Sequence, residues 1–250
     1  MRLGSRHPVL LLLAASAACT PRATPPVNTG AIAVASDAAA DTLLTELRSL
    51  DTSIVVELRY ATNDNFTGAP LPGYEANRAF LRREAAAALA RVQRRALAEG
   101  YRLKVWDAYR PVRATEAMVA WTRRVGRAAL VRDGYIASRS RHNLGVAVDL
   151  TLVARDTGRE LAMGTPFDTF SPAAHTANAT GDVARNRATL ERLMGSEGWV
   201  NYAQEWWHFS FDVSDPVRFD RVIRCPRQRP EILPSPATRS SPPSGCTSAH

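Results

Sequence analysis

Residues 145–153 read Gly-Val-Ala-Val-Asp-Leu-Thr-Leu-Val, an apolar run interrupted by one carboxylate. In an extended strand, Val146, Val148, Leu150 and Leu152 point to one face, and Ala147, Asp149 and Thr151 to the other. A strand this apolar belongs inside a sheet. An isolated carboxylate is costly there, so Asp149 must be paired, protonated or bound to a metal. His142 precedes it across a small loop. Glu205-Trp206-Trp207-His208 again sets a carboxylate and an imidazole among aromatic residues. Of the five histidines, His7 falls in an N-terminal apolar segment and His250 is the last residue. That leaves His142, His175 and His208, and His175 reads as an exposed loop residue.

The surrounding pattern mixes helices and strands. Residues 41–50 predict a short helix and residues 54–60 a strand. Residues 63–74, rich in Asn, Gly and Pro, predict a loop. Residues 77–99 predict a helix, with Leu81, Ala85, Ala88, Val92 and Ala96 on one stripe and Gly100 just past its end. Residues 103–107 predict a strand, 111–127 a helix, and 205–211 a last, aromatic-rich strand. Residues 182–194 predict an amphipathic helix with Asp182 as its N-cap. The order lacks strict βαβ alternation. The expected class is α+β, a small antiparallel sheet flanked by helices.

Both ends differ from this core. Arg2 and Arg6, the apolar run 9–15 and Ala15-Ser16-Ala17-Ala18-Cys19 read as an export signal. The run falls far short of the ~20 residues a spanning helix needs. Cys19 resembles a bacterial lipoprotein attachment site, although Ser16 stands where a large aliphatic residue is usual. Residues 1–19 are thus expected to be a signal peptide or a lipoprotein signal, with plain cleavage and a lipid anchor at Cys19 both open. The protein is then exported and periplasmic, and membrane-anchored if Cys19 is lipidated. Residues 20–41 read as a disordered linker, and residues 221–250, rich in Pro, Ser and Arg, as a disordered tail. Cys225 and Cys246 lie in that tail, as one disulfide or as two free thiols. One domain, residues 42–220, remains between them.

The net charge of +8 and pI near 10.1 invite a nucleic-acid reading. However, Arg2 and Arg6 lie in the leader, and five arginines stand against Glu231 in the tail. These segments hold about six of the eight charges, so the core is nearly balanced and no nucleic-acid partner is expected.

Two imidazoles, one carboxylate and an open fourth position make a catalytic zinc site. Such a site lowers the pKa of water and needs a second carboxylate as general base. His142, Asp149 and His208, with Glu205, can fill these four roles. A structural His–Asp pair in each segment fits the same residues. Glu205 and His208 are three apart, so in a regular strand they face opposite sides. Glu205 must therefore sit in a turn or beside a bulge.

Ser140-Arg141-His142-Asn143-Leu144-Gly145-Val146-Ala147-Val148-Asp149 resembles the S-x-H-x-x-G-x-A-x-D signature of zinc D-Ala-D-Ala peptidases. Glu205-Trp206-Trp207-His208 is similar to their E-x-W-H element. Trp106-Asp107-Ala108-Tyr109-Arg110-Pro111 resembles the D-G-Y-R-P element of the D-alanyl-D-alanine dipeptidase branch, the vancomycin-resistance type. Tyr60-Ala61-Thr62, residues 64–70 (DNFTGAP) and Gly73-Tyr74-Glu75 extend the likeness.

The resemblance implies a hedgehog-like fold with a zinc site at the sheet. It implies one Zn2+ held by His142, Asp149 and His208, with Glu205 as catalytic base. Arg110 would stabilise the tetrahedral intermediate, as a fixed cation beside a developing oxyanion does. Asp168 would meet the substrate ammonium, with Ser140 and Tyr60 near the substrate. The implied activity is hydrolysis of the D-Ala-D-Ala dipeptide, in cell-wall peptide turnover or glycopeptide resistance. A D,D-carboxypeptidase acting on stem peptides, and a non-catalytic peptidoglycan-binding module, remain alternatives. Ala108, Arg141 and Leu144 depart from the family pattern. The segment between Trp121 and Gly134 is shorter than the family's usual insertion, which implies a more open site. Oligomeric state is not legible.

Overall fold

The computed structural model describes residues 33–225. The expected export signal, Cys19 and Cys246 lie outside the described residues. No helix among the described residues is long and apolar enough to cross a membrane.

The chain begins with β1 (Val34–Ala35), α1 (Asp37–Leu43), β2 (Leu44–Glu46), α2 (Leu47–Leu50) and β3 (Val55–Val56). A 3-10 turn over Arg59–Ala61 and a long loop lead to β4 (Phe80–Arg82), α3 (Arg83–Ala98) and β5 (Tyr101–Asp107). Next come α4 (Val112–Arg124), α5 (Ala129–Arg132), a 3-10 turn over Arg141–Leu144 and β6 (Ala147–Ala154). The chain closes with α6 (Gly181–Gly195), β7 (Val200–Tyr202), β8 (Glu205–Ser210) and β9 (Arg218–Phe219).

The main sheet has the order β3-β5-β6-β8-β7. Its pairs are antiparallel except β3 with β5, so the class is α+β with one parallel edge. Residues 147–153 of β6 are all buried, because this strand is central and covered on both faces. Val148, Leu150 and Leu152 share the core with Ala85, Leu89 and Val92 of α3. Gln93, also buried, ties helix to sheet: its Oε1 accepts from Leu103 N at 2.8 Å, and its Nε2 donates to Ser53 Oγ at 2.8 Å.

Tertiary pairing overrides local propensity in several places. The helix expected from residue 77 starts only at Arg83, because Phe80–Arg82 pairs antiparallel with Leu44–Glu46. That pairing also splits the helix expected over 41–50 into α1 and α2. Of the strand expected over 54–60, only Val55–Val56 pairs with β5 before the chain turns. Thr180, not Asp182, occupies the N-cap of α6, and Asp182 lies in its first turn.

Ordered contacts also involve residues beyond 42 and 220. Within the expected linker, Val34–Ala35 pairs in parallel with Arg218–Phe219, and Ser36 Oγ caps α1 by accepting from Ala39 N at 3.2 Å. At the other end, Ile223 is buried and exchanges backbone hydrogen bonds with Gly73 and Glu75, both at 2.8 Å. Cys225 is disulfide-bonded, and its partner lies outside the described residues.

Candidate active site

The site is built on a row that crosses three strands. Asp107 of β5 stands opposite Asp149 of β6, and Asp149 stands opposite His208 of β8. Neighbours across a sheet have Cβ atoms close enough to interact directly. Three residues far apart in sequence thus become adjacent by strand register alone.

His142 joins this row from the 3-10 turn that precedes β6. Ser140 caps the turn, its Oγ accepting from His142 N at 3.2 Å. Gly145 ends the turn with φ +66°, and a Cβ there would stand 2.7 Å from Leu44 Cδ2. Only glycine satisfies both the backbone angle and the space. The turn is tied to the segment after β5: Arg110 N donates to His142 O at 3.1 Å, and Asn143 Nδ2 donates to Arg110 O at 2.9 Å.

The ring nitrogens are oriented from behind. His142 Nδ1 lies 2.7 Å from the carbonyl of Ala108, which can only accept. Nδ1 therefore carries the proton, and Nε2 presents its lone pair to the site. That Nε2 is 3.1 Å from His208 Nδ1 and 3.4 Å from Asp149 Oδ2. His208 Nδ1 is 2.9 Å from Asp149 Oδ1. Donors ~2.0–2.2 Å from a tetrahedral zinc stand roughly 3.3–3.6 Å apart. The three nitrogen and oxygen donors are thus already near the spacing a metal ion requires, and all their ligand atoms lie within 4.8 Å of one another.

Glu205 is buried on the same wall, its Oε2 3.9 Å from His208 Nδ1. The register of β7 against β8 shifts between Asn201 and Tyr202, and this irregularity lets residues three apart share a face. Burial, then the charges of Asp149 and Asp168, push the Glu205 carboxyl well above the ordinary range. Burial also disfavours the Asp149 carboxylate, but the neighbouring imidazoles, His142 and then His208, hold it well below that range. Burial lowers His208 despite its bond to Asp149.

Arg110 is buried opposite the donor set. Two of its nitrogens bond Asp107 Oδ2, a third contact reaches Asp149 Oδ2 at 3.7 Å, and the guanidinium lies 5.1 Å from the Tyr60 ring centre. Tyr60 donates to both oxygens of Asp168, at 2.9 and 3.1 Å. Asp168 sits in a loop with φ +59° and lines the same cavity. Burial, then the Asp149 charge, raise its pKa well above the ordinary range.

Tyr60, Arg110, Ser140, His142, Asp149, Asp168, Glu205 and His208 all line one cavity of about 260 Å³. The structure therefore brings together every site residue that the sequence singled out. Asp107 was legible only as part of a motif: it ends β5, where Arg102 and Lys104 alternate with Leu103 and Val105, and so does not interrupt an apolar run as Asp149 does. Asp107 is fully buried and also accepts from Tyr74 Oη at 2.5 Å. His175 is half-buried rather than exposed, its Nε2 3.1 Å from Tyr135 Oη, and it does not line the cavity.

A fixed cation and a buried carboxylate flanking a His/Asp/His donor set are the equipment of a metallohydrolase. Residues 41–224 match the family described as D-ala-D-ala dipeptidase, and the chain belongs to that peptidase family. It is 40% identical over 175 residues to a D-alanyl-D-alanine dipeptidase of Enterococcus faecalis, covering 64% of this chain and 86% of the relative. A D-alanyl-D-alanine dipeptidase of Streptomyces coelicolor is 40% identical over 171 residues, covering 62% and 84%. One from Escherichia coli is 36% identical over 174 residues, covering 67% and 84%. Among solved structures, the LdcB LD-carboxypeptidase aligns over 53% of this chain and 59% of its own, with 21% identity and a TM-score of 0.38.

Proposed function

We propose that the protein is a zinc-dependent D-alanyl-D-alanine dipeptidase that hydrolyses the single amide of D-Ala-D-Ala to two D-alanines. The observation that carries this reading is the convergence of His142, Asp149, His208, Glu205 and Arg110 on one small cavity. The names of the relatives support the substrate.

His142 Nε2, His208 Nδ1 and an Asp149 oxygen would hold the ion. Zinc, when bound, supplies Lewis acidity that acidifies water and polarises the amide carbonyl. Glu205 takes the proton of the attacking water, and its raised pKa suits a group that must later give that proton back. It then protonates the leaving nitrogen as the C–N bond breaks. Arg110, clamped by Asp107, faces the developing oxyanion without needing to reorganise. Asp168, held by Tyr60, receives the substrate ammonium, and Ser140 lines the substrate's path.

The export-signal reading of residues 1–19 supports action outside the cytoplasm, in the periplasm, with Cys19 as lipid anchor where cleavage precedes it. The Cys225 disulfide supports an oxidising compartment. There the activity would serve cell-wall peptide turnover or glycopeptide resistance. The deciding experiment compares D-Ala-D-Ala with a stem peptide ending in D-Ala-D-Ala, with and without chelator. Chelator-sensitive preference for the dipeptide is expected; preference for the longer peptide would make the protein a D,D-carboxypeptidase instead.

A further inference from the structure

We infer that Asn201 is a positioning residue for the hydrolytic centre, its side-chain amide holding Glu205 and His208 on one face of the sheet; the catalytic part of this inference rests on the proposed zinc-dependent hydrolysis. Residues three apart in a regular strand point to opposite faces. Glu205 and His208 both face the cavity, and the strand pairing shows what makes this possible. β7 and β8 pair as Val200 with Ser210 and Asn201 with Phe209, then jump to Tyr202 with Glu205. Trp206, Trp207 and His208 therefore have no residue opposite them on β7.

His208 has no residue opposite it on β7, and a backbone carbonyl left out of a ladder needs another donor. Asn201 Nδ2 supplies it, donating to His208 O and also to Glu205 O, each at 3.0 Å. One amide thus bridges the two ends of the irregular segment, and those ends are the two functional residues. The amide is itself oriented. Thr176 Oγ1 donates to Asn201 Oδ1 at 2.6 Å, so the NH2 group is the one turned to β8. Thr176 is anchored in turn by its own N–H, which donates to Ala203 O at 2.9 Å. Asn201 does not line the cavity, so it acts through the backbone that carries the two side chains.

The test uses the full-length, zinc-loaded protein. Asn201→Ala removes both donations, and Thr176→Val removes only the group that orients the amide. Asn201→Ala is expected to lower kcat for D-Ala-D-Ala by about 100-fold, the cost of misplacing reacting groups by about an ångström. KM should stay within about threefold, because no substrate contact is lost. Zinc should pass to a chelator about tenfold faster, as when an outer support of a ligand is removed. Thr176→Val should show the same pattern at about a tenth of the size in kcat. A lower melting temperature with kcat and zinc release both unchanged would make Asn201 a purely structural hairpin residue and overturn the inference. If Asn201→Ala does not fold, Thr176→Val decides by the same two readouts. If the unmodified protein binds zinc but leaves D-Ala-D-Ala intact, the functional reading fails, while the zinc-release rates still decide whether Asn201 positions His208.

Discussion

Asp107 and Arg110 meet in the interior at one carboxylate oxygen, which accepts a hydrogen bond from Nε at 2.9 Å and pairs with a terminal nitrogen at 2.8 Å. Tyr74 holds the other oxygen. Arg110 is thereby a preorganised cation rather than a mobile one. Asp107→Ala would leave a buried guanidinium without its close carboxylate, with Asp149 at 3.7 Å as the nearest remaining counter-charge, and removing one partner of a buried pair costs about 3–5 kcal/mol. Urea denaturation should show that loss, and hydrolysis per folded molecule should fall as well. A variant as stable as the parent would mean that Asp149 alone suffices as the counter-charge.

Glu205→Gln keeps the size of the side chain and removes the base. Hydrolysis should fall by roughly 10²–10⁴-fold, the usual contribution of a general base. Zinc content should not change, since His142, Asp149 and His208 are untouched. Full activity in this variant would sink the assignment of the base.

Chelation should abolish activity and lower the melting temperature together. A ligand that binds only the native state stabilises it by about 4 kcal/mol at a thousand times its dissociation constant. His208→Ala should mimic chelation, because it deletes one of the donors. Chelator-treated, metal-free protein that still hydrolyses D-Ala-D-Ala would end the metallopeptidase reading.

Asp168 carries a pH prediction. Its carboxyl lies well above the ordinary range in the free protein, through burial and the Asp149 charge. A bound ammonium favours the carboxylate, so substrate binding should release a proton. Affinity for a dipeptide analogue should then rise with pH across the window between the bound and the free pKa. Calorimetry in buffers of different ionisation heat measures that release, and Asp168→Asn should abolish it. The same raised pKa makes this group cost the fold stability as pH climbs above about 4, the ordinary carboxyl value.

Gly145→Ala tests the turn that carries His142. The new Cβ meets Leu44 Cδ2 at 2.7 Å and Arg82 N at 3.2 Å, in a left-handed conformation. A loss of about 1–3 kcal/mol is expected from the backbone strain, with weaker zinc binding. Thermal melts and chelator competition check both, and an unaffected protein would show that the turn relaxes around a methyl group.

Much of the site was legible before folding. Asp149 announced itself as a carboxylate inside an apolar strand, and His142 and His208 as imidazoles beside carboxylates. Composition and patterning set the α+β class. The pairing of residues outside 42–220 was not legible. Val34–Ala35 and Ile223 lie in segments whose composition reads as linker and tail, yet each is held by a partner far away in sequence. Phe80–Arg82 sits in a helical pattern and becomes a strand for the same reason.

By itself, then, the sequence determined which chemical groups the protein owns and which segments are apolar enough to form a sheet, because those are local properties of side chains. Which groups meet was decided only in three dimensions. Strand register put Asp107, Asp149 and His208 in one row, and a shift of register beside Asn201 turned Glu205 onto the same face as His208. Register depends on hydrogen bonds between residues distant in the chain; the spacing of three between Glu205 and His208 called for a turn or a bulge, but not for the pairing that supplies it.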